Sequence, residues 1–148
     1  MKLIIHNTKS GEILRTGSCP EEMLSIQAQE GETVIEGEAN DQTQYIVDGI
    51  VTGYTEAELV AKSAIPYGHK WKMPERKVVQ ELPDEEITAY LAGEARRKRD
   101  SLLSACDWTQ TADQPDPTKS KWKSYRQALR DVTNQQDFPH VIWPTPLG

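Results

Sequence analysis

The stretch 82–107, LPDEEITAYLAGEARRKRDSLLSACD, decides how the second half of this chain is read. Leu82-Pro83-Asp84-Glu85-Glu86 has the form of a helix entry: proline, whose missing N–H costs nothing there, then acidic side chains facing the positive end of the helix dipole. Ile87, Leu91, Ala95, Leu102 and Cys106 then recur at helical spacing, and Leu103 widens the stripe. The spacing predicts a helix ending near Asp107. Arg96-Arg97-Lys98-Arg99 interrupts the stripe with charge, so their stems must run along the seam while the heads reach solvent.

Downstream, Trp108 to Pro117 reads as a loop, with Thr118 expected to cap the next helix. Trp122, Tyr125, Leu129 and Val132 follow at intervals of three, four and three and define one face. Two such helices joined by about ten residues predict an antiparallel hairpin. Its core is expected from Ile87, Leu91, Leu102, Trp122, Tyr125 and Leu129. From Phe138 to Pro146 prolines alternate with Val141, Ile142 and Trp143, which forbids helix and predicts an extended tail. That tail is laid across the hairpin or donated to a neighbour.

Upstream, residues 1–53 read as short strands. Leu3-Ile4-Ile5-His6 is an apolar run, Asn7 to Gly11 a turn, and Glu12 to Arg15 a returning partner. Cys19-Pro20-Glu21-Glu22 opens one or two helical turns through Met23, Leu24 and Ile26. Thr33 to Gly37 is a strand. Tyr45-Ile46-Val47 and Ile50-Val51-Thr52 flank Asp48-Gly49, a hairpin signal. Residues 54–83 are less regular. Thr55 is placed to cap a short helix, and Pro66, Gly68, Pro74 and Pro83 punctuate a mostly extended stretch with Tyr67 and Trp71 as its aromatic anchors. It reads as a connector or docking arm, since a long unpacked linker is unusual inside a compact domain. The organisation expected is therefore α+β: a small antiparallel β-rich unit (1–53), an extended connector (54–83), and a helical hairpin with an extended Pro/Trp tail (84–148).

The 148 residues suffice for one ordinary domain or two small ones. At 36% hydrophobic, with a single Phe, the chain leaves the aromatic packing to four Trp and five Tyr. The net charge of −6 is unevenly placed. Residues 1–60 hold three basic and eleven acidic side chains, residues 61–148 fourteen and twelve, so the N-terminal half is no nucleic-acid platform. The basic run at 96–99 stands beside Glu94 and Asp100 without interleaved aromatics and reads as a solvated helix face. No apolar run approaches the roughly 20 residues of a membrane span, and the first residues lack the form of a signal peptide. Cytoplasmic synthesis and two unbridged thiols, Cys19 and Cys106, are expected.

Signals for chemistry are weak. His6, His69 and His140 have no Cys, Asp or Glu at metal-ligand spacing, the cysteines lack a linked His, and the glycines do not match a phosphate loop. No enzyme activity, cofactor or metal is expected. The expected function is packing against other proteins, with Tyr67, Trp71, Trp108, Phe138, Ile142 and Trp143 as candidate partner contacts. The plainer alternative for Trp108 is that it closes the hairpin, with Asp107 or Thr109 capping backbone groups.

An ordered set of residues runs from Arg96-Arg97-Lys98-Arg99-Asp100 and Leu102-Leu103 through Asp107-Trp108-Thr109-Gln110, Asp113 and Pro115. It continues with Trp122, Tyr125-Arg126-Gln127, Leu129-Arg130-Asp131, Gln135 and Phe138-Pro139, and closes with Trp143-Pro144 and Pro146. Over roughly residues 90–146 this resembles the C-terminal module of the tailed-phage family of tail assembly chaperone proteins, a module also found at the ends of phage tail-fibre and tail-associated proteins. A softer similarity to segments found with that module involves Gly11 to Arg15, Cys19-Pro20, Gln27-Ala28, Gly31-Glu32, Glu36-Gly37 and Tyr45…Asp48-Gly49. The resemblance implies a phage tail accessory protein, expected first as a fibre or tip structural component, the alternative being a transient assembly chaperone absent from the mature virion. The partners implied are other tail or tail-fibre proteins, with self-association open and neither nucleic acid nor membrane insertion expected. The location implied is the virion tail, or the host cytoplasm during assembly.

Overall fold

A computed structural model describes residues 1–147 and divides them into two compact units, Met1–Glu81 and Leu82 onward. Small antiparallel sheets and helices together make the chain α+β.

In the first unit, β1 (Lys2–Asn7) is the centre of a three-stranded antiparallel sheet, between β2 (Ile13–Ser18) and β3 (Glu32–Glu36). Leu3, Ile4, Ile5 and His6 are all buried, so β1 is covered on both faces, which is why it reads as a run and not as an alternation. Ile5 pairs with Arg15 and His6 with Ile13, leaving Leu14 as the extra residue of a bulge. The bulge turns Ile13 inward to pack with Ile4 and Ile46, joined by Ile35, Ala39 and Val51. Ile46 belongs to a second sheet, the hairpin of β4 (Gln44–Val47) and β5 (Ile50–Gly53). Its turn has positive φ at both Asp48 (52°) and Gly49 (75°), as a two-residue hairpin loop requires.

Gly11 joins the two sheets. Its carbonyl accepts from the Ile46 N–H at 2.8 Å, and a Cβ built on it would lie 1.9 Å from the Ile46 carbonyl oxygen. With φ at +74° as well, no L side chain fits there. Arg15 braces the other side of the sheet. Its guanidinium donates to both carboxylate oxygens of Glu32 (2.8 and 2.6 Å) and to the Gln27 carbonyl (2.9 Å).

The expected helical turns after Cys19-Pro20 are a short 3-10 helix, Glu21–Ile26, with no buried residue. The stretch 54–83, read from the sequence as a connector or docking arm, holds regular structure that belongs to the first unit as far as Glu81. Thr55 Oγ1 accepts from the Glu58 N–H at 3.2 Å and caps α1 (Glu56–Ser63). Beyond it, β6 (His69–Lys72) and β7 (Lys77–Gln80) pair as a hairpin around Met73 to Arg76. The prolines that suggested an unpaired arm lie outside its strands, at positions that need no ladder donor.

The second unit begins with α2 (Asp84–Ala105), preceded by Pro83 and led by Asp84, Glu85 and Glu86. A 3-10 turn, Asp107–Gln110, leads towards α3 (Asp116–Arg130), and a further 3-10 turn, Asp131–Asn134, closes it. The expected cap at Thr118 is corrected. The helix starts two residues earlier, with Pro117 in its first turn, where proline is tolerated because that N–H has no helical partner. After residue 140 there is no regular structure among the described residues.

Two measurements test these cores. Leu129 is fully buried. Leu129→Ala is expected to lower the unfolding free energy of the second unit by about 2–5 kcal/mol, read by denaturant titration; a loss under about 0.5 kcal/mol would put that side chain at the surface. In the first unit, the Arg15 guanidinium and the Gln29 N–H hold the Glu32 carboxyl down to about 2. A carboxyl depressed by folding stabilises the native state above its ordinary pKa and loses that contribution as pH falls towards its folded value. The stability gap between wild type and Glu32→Gln is therefore expected to be full above about pH 5 and to close between about pH 4.5 and 2. A gap that does not change with pH would show that the carboxylate charge is not what stabilises the bridge.

Candidate functional site

The joint between α2 and α3 is built from Cys106, Tyr125 and Leu129, with Leu102, Leu103, Trp122, Trp143 and Leu147 packed against them. A helix leaves its last carbonyls without partners. Here Arg126 of α3 reaches that end: Nη1 donates to the Leu103 carbonyl (2.9 Å) and to Cys106 Sγ (3.1 Å), and Nη2 donates to Asp107 Oδ1 (2.8 Å). The Cys106 thiol donates in turn to the Leu102 carbonyl at 3.2 Å. A cation at the negative end of a helix is also favoured by its dipole. Thr109, fully buried, donates its hydroxyl to the Cys106 carbonyl at 2.7 Å and fixes the turn that follows.

That turn displays Trp108, which is 52% exposed. Its ring meets Trp122 edge-on at 5.8 Å, and Trp122 meets Tyr125 in the same way at 5.7 Å. The result is a short aromatic ladder from the buried joint to the surface. Such rings hold large contact area with few rotatable bonds, so an exposed member arrives already oriented.

The tail lies on its own unit. Trp143 and Leu147 pack on the joint, while Pro139 and Trp143 line a hollow of about 270 Å³ with Leu91, Ala95 and Lys98. The basic run of α2 meets this tail. Arg96 stands over the Phe138 ring at 5.3 Å and Lys98 over the Trp143 ring at 4.4 Å, while Arg97 and Arg99 pair with Glu94 and Asp100. The charges that read as a solvated face are thus half engaged with aromatics, a pairing hidden in sequence because the partners lie about 40 residues away. Gln135 grips the tail backbone at Ile142, donating to its carbonyl and accepting from its N–H, both at 2.9 Å. The Ile142 side chain is 83% exposed.

The candidate contact residues therefore divide. Trp108 and Ile142 stand at the surface of the second unit, and Tyr67 is 44% exposed on the first. Phe138 and Trp143 are half-buried against their own helix. Trp71 sits in an aromatic group of the first unit, edge-on to Tyr54 at 5.8 Å, with Tyr54 stacked on Tyr45 at 4.9 Å. Lys62 lies over the Tyr54 ring at 3.9 Å, and burial lowers the pKa of this lysine while raising that of the tyrosine. Of the expected hairpin core, Tyr125 and Leu129 are buried and Leu102 and Trp122 pack on them. Ile87 and Leu91 are half-buried and stand apart from that cluster. Sequence reasoning places Arg126 for an ion pair across the hairpin or with a partner, which it makes with Asp107, but misses its hold on the Leu103 carbonyl and Cys106 thiol at the end of α2. Its only signal was an arginine one position from the apolar face.

Both cysteines are free, Cys106 buried and Cys19 partly so. Among the described residues no helix is long and apolar enough to cross a membrane. No curated protein and no solved structure matches the chain. Residues 92–146, spanning most of α2, the joint and the tail, match the family described as phage tail assembly chaperone protein, and this ties the second unit to a role in the phage tail.

Proposed function

We propose that this chain is a phage tail assembly factor, a chaperone that covers a surface of a tail subunit until that subunit is built in. The observation that carries the reading is the family match over residues 92–146, which coincides with the unit that presents Trp108 on its ladder and Ile142 on its strap. The work required is recognition and release, with no bond made or broken. Large side chains on rigid supports suit it, because little conformational freedom is lost on binding. The partners are other tail proteins, and the place of action is the host cytoplasm during assembly.

A second reading is a fibre or tip component retained in the virion tail. It is favoured by the first unit, which lies outside the family match and exposes Ile26, Ile50 and Val60, each more than 60% accessible, as further contact area. Quantitative mass spectrometry of purified virions and of the soluble fraction of infected cells separates the two. The chaperone reading expects the chain bound to a soluble tail subunit and missing from virions. A fixed copy number per virion would sink it in favour of the structural component.

Trp108 locates the contact surface. Trp108→Ser is expected to weaken co-purification with the tail partner by at least about tenfold, the scale of an aromatic hot spot. The thermal midpoint should fall by no more than a few degrees, because half of the ring is already in water. Undiminished capture would remove Trp108 from the interface.

A further inference from the structure

The tail is seated loosely for a segment with so much apolar surface. Residues 141–147 make no backbone–backbone hydrogen bond among the described residues, the last one before them being His140 N–H to the Asp137 carbonyl at 2.8 Å. Their backbone is gripped by one side chain, Gln135. The seat is also open to solvent at its edges. Beside the hollow of about 270 Å³ at Pro139 and Trp143 there is a second of about 190 Å³, where Pro146 faces Leu102, Ala105, Cys106, Trp122 and Tyr125. Water in these open hollows takes the place of contacts that a closely packed strap would make. What holds the tail is the Trp143 ring beneath Lys98 and the contacts of Trp143 and Leu147 with the joint. Lifting it would uncover the apolar surface of Cys106, Tyr125 and Leu129. Phe138, beneath Arg96, pins the chain just before the strap begins, so the turn at Asp137–His140 is a natural hinge.

From this we infer that residues 141–147 are an exchangeable strap, and that two copies of the chain trade it, each tail seating in the groove of the other. The occupant is a second copy because the groove is already shaped for this segment. It takes an aromatic under Lys98, an apolar side chain four residues on, and prolines that keep the backbone extended between them. In a swap every one of these contacts is kept, so the balance between closed and exchanged forms rests on the hinge and on protein concentration. The strap also shows two faces. Val141 and Trp143 turn inward, half-buried, while Ile142 between them is 83% exposed. In an exchanged pair, that outward isoleucine is carried to the seam between the copies. This inference does not rest on the chaperone reading.

Sedimentation equilibrium of the full chain over a concentration series is the test. The wild type is expected to show a monomer–dimer equilibrium. Trp143→Ser should keep its helical circular dichroism and associate at least about tenfold more weakly. With its own strap loosened, that variant should bind a fluorescent peptide of residues 138–148, read by anisotropy, and a peptide carrying the same substitution should not bind. Truncation after His140, which takes the strap away from both forms, provides the second variant should Trp143→Ser unfold, and it should abolish association. A wild-type chain that stays monomeric throughout overturns the exchange, whatever the peptide does. So does association that survives both Trp143→Ser and the truncation. Association lost in Trp143→Ser without peptide binding would place Trp143 in another kind of dimer contact and would equally overturn it.

Discussion

Arg126 holds the end of one helix from the middle of another, and the second unit is organised around that grip. In the last turn of α2 the Leu103 carbonyl already accepts from the Cys106 N–H at 3.2 Å, and Arg126 adds a charged donor to it beside a buried apolar cluster. Two of its nitrogens meet Leu103, Cys106 and Asp107, while Cys106 and Thr109 supply the remaining donors of the joint. Tyr125 and Leu129 pack beside the thiol, and Trp122 and Trp108 extend the packing outward, while Arg126 Nε stays buried without a partner. The surface that the proposed function requires thus depends on one half-buried cation. It also explains a cysteine that behaves as a small apolar residue with a hydrogen bond to give.

The first unit meets a different constraint. Its sheets are short, and their strands hold together where backbone meets backbone at Gly11 and Ile46 and where Arg15 reaches Glu32. Its apolar core of Ile4, Ile13 and Ile46 is small, and aromatic stacking with cations over the rings adds to it through Tyr45, Tyr54, Trp71, Lys62 and Arg76. Four Trp and five Tyr with one Phe suit such packing, since each of these rings can also face a polar neighbour. Trp71 shows this directly, its indole N–H donating to Met73 Sδ at 3.1 Å.

Cations meet aromatics in the second unit too, but there the pairs fasten a strap to a helix. Lys98 and Arg96 are two residues apart and cannot share a helix face, yet each covers a ring of the same tail. The tail therefore meets α2 at two points, Phe138 under Arg96 and Trp143 under Lys98. Contacts of this kind are worth about 0.5–1 kcal/mol when solvent reaches them, which is enough to seat a segment and little enough to let it go.

Local periodicity and punctuation carried most of the element boundaries. The 3.6-residue stripe of α2, the acidic first turn after Pro83, the Asp48-Gly49 hairpin and the Thr55 cap all depend on residues within a few positions of one another, and a sequence displays such terms directly. The family resemblance was legible for the same reason, as an ordered set of anchors in one continuous stretch. Partners distant in the chain were not. Nothing local announces that Arg126 would cap a helix ending some twenty residues earlier, or that Lys98 would lie over Trp143. Nor does the sequence around Trp71 say whether its ring faces a partner or its own fold: an exposed strand with an aromatic reads the same in both cases. Only the tertiary structure, by bringing Tyr54 and Lys62 to that ring and Gln135 to Ile142, decided which apolar side chains the chain covers for itself and which, like Trp108 and Ile142, it leaves at the surface, because burial is set by what returns from elsewhere in the chain and not by the residue's own neighbours.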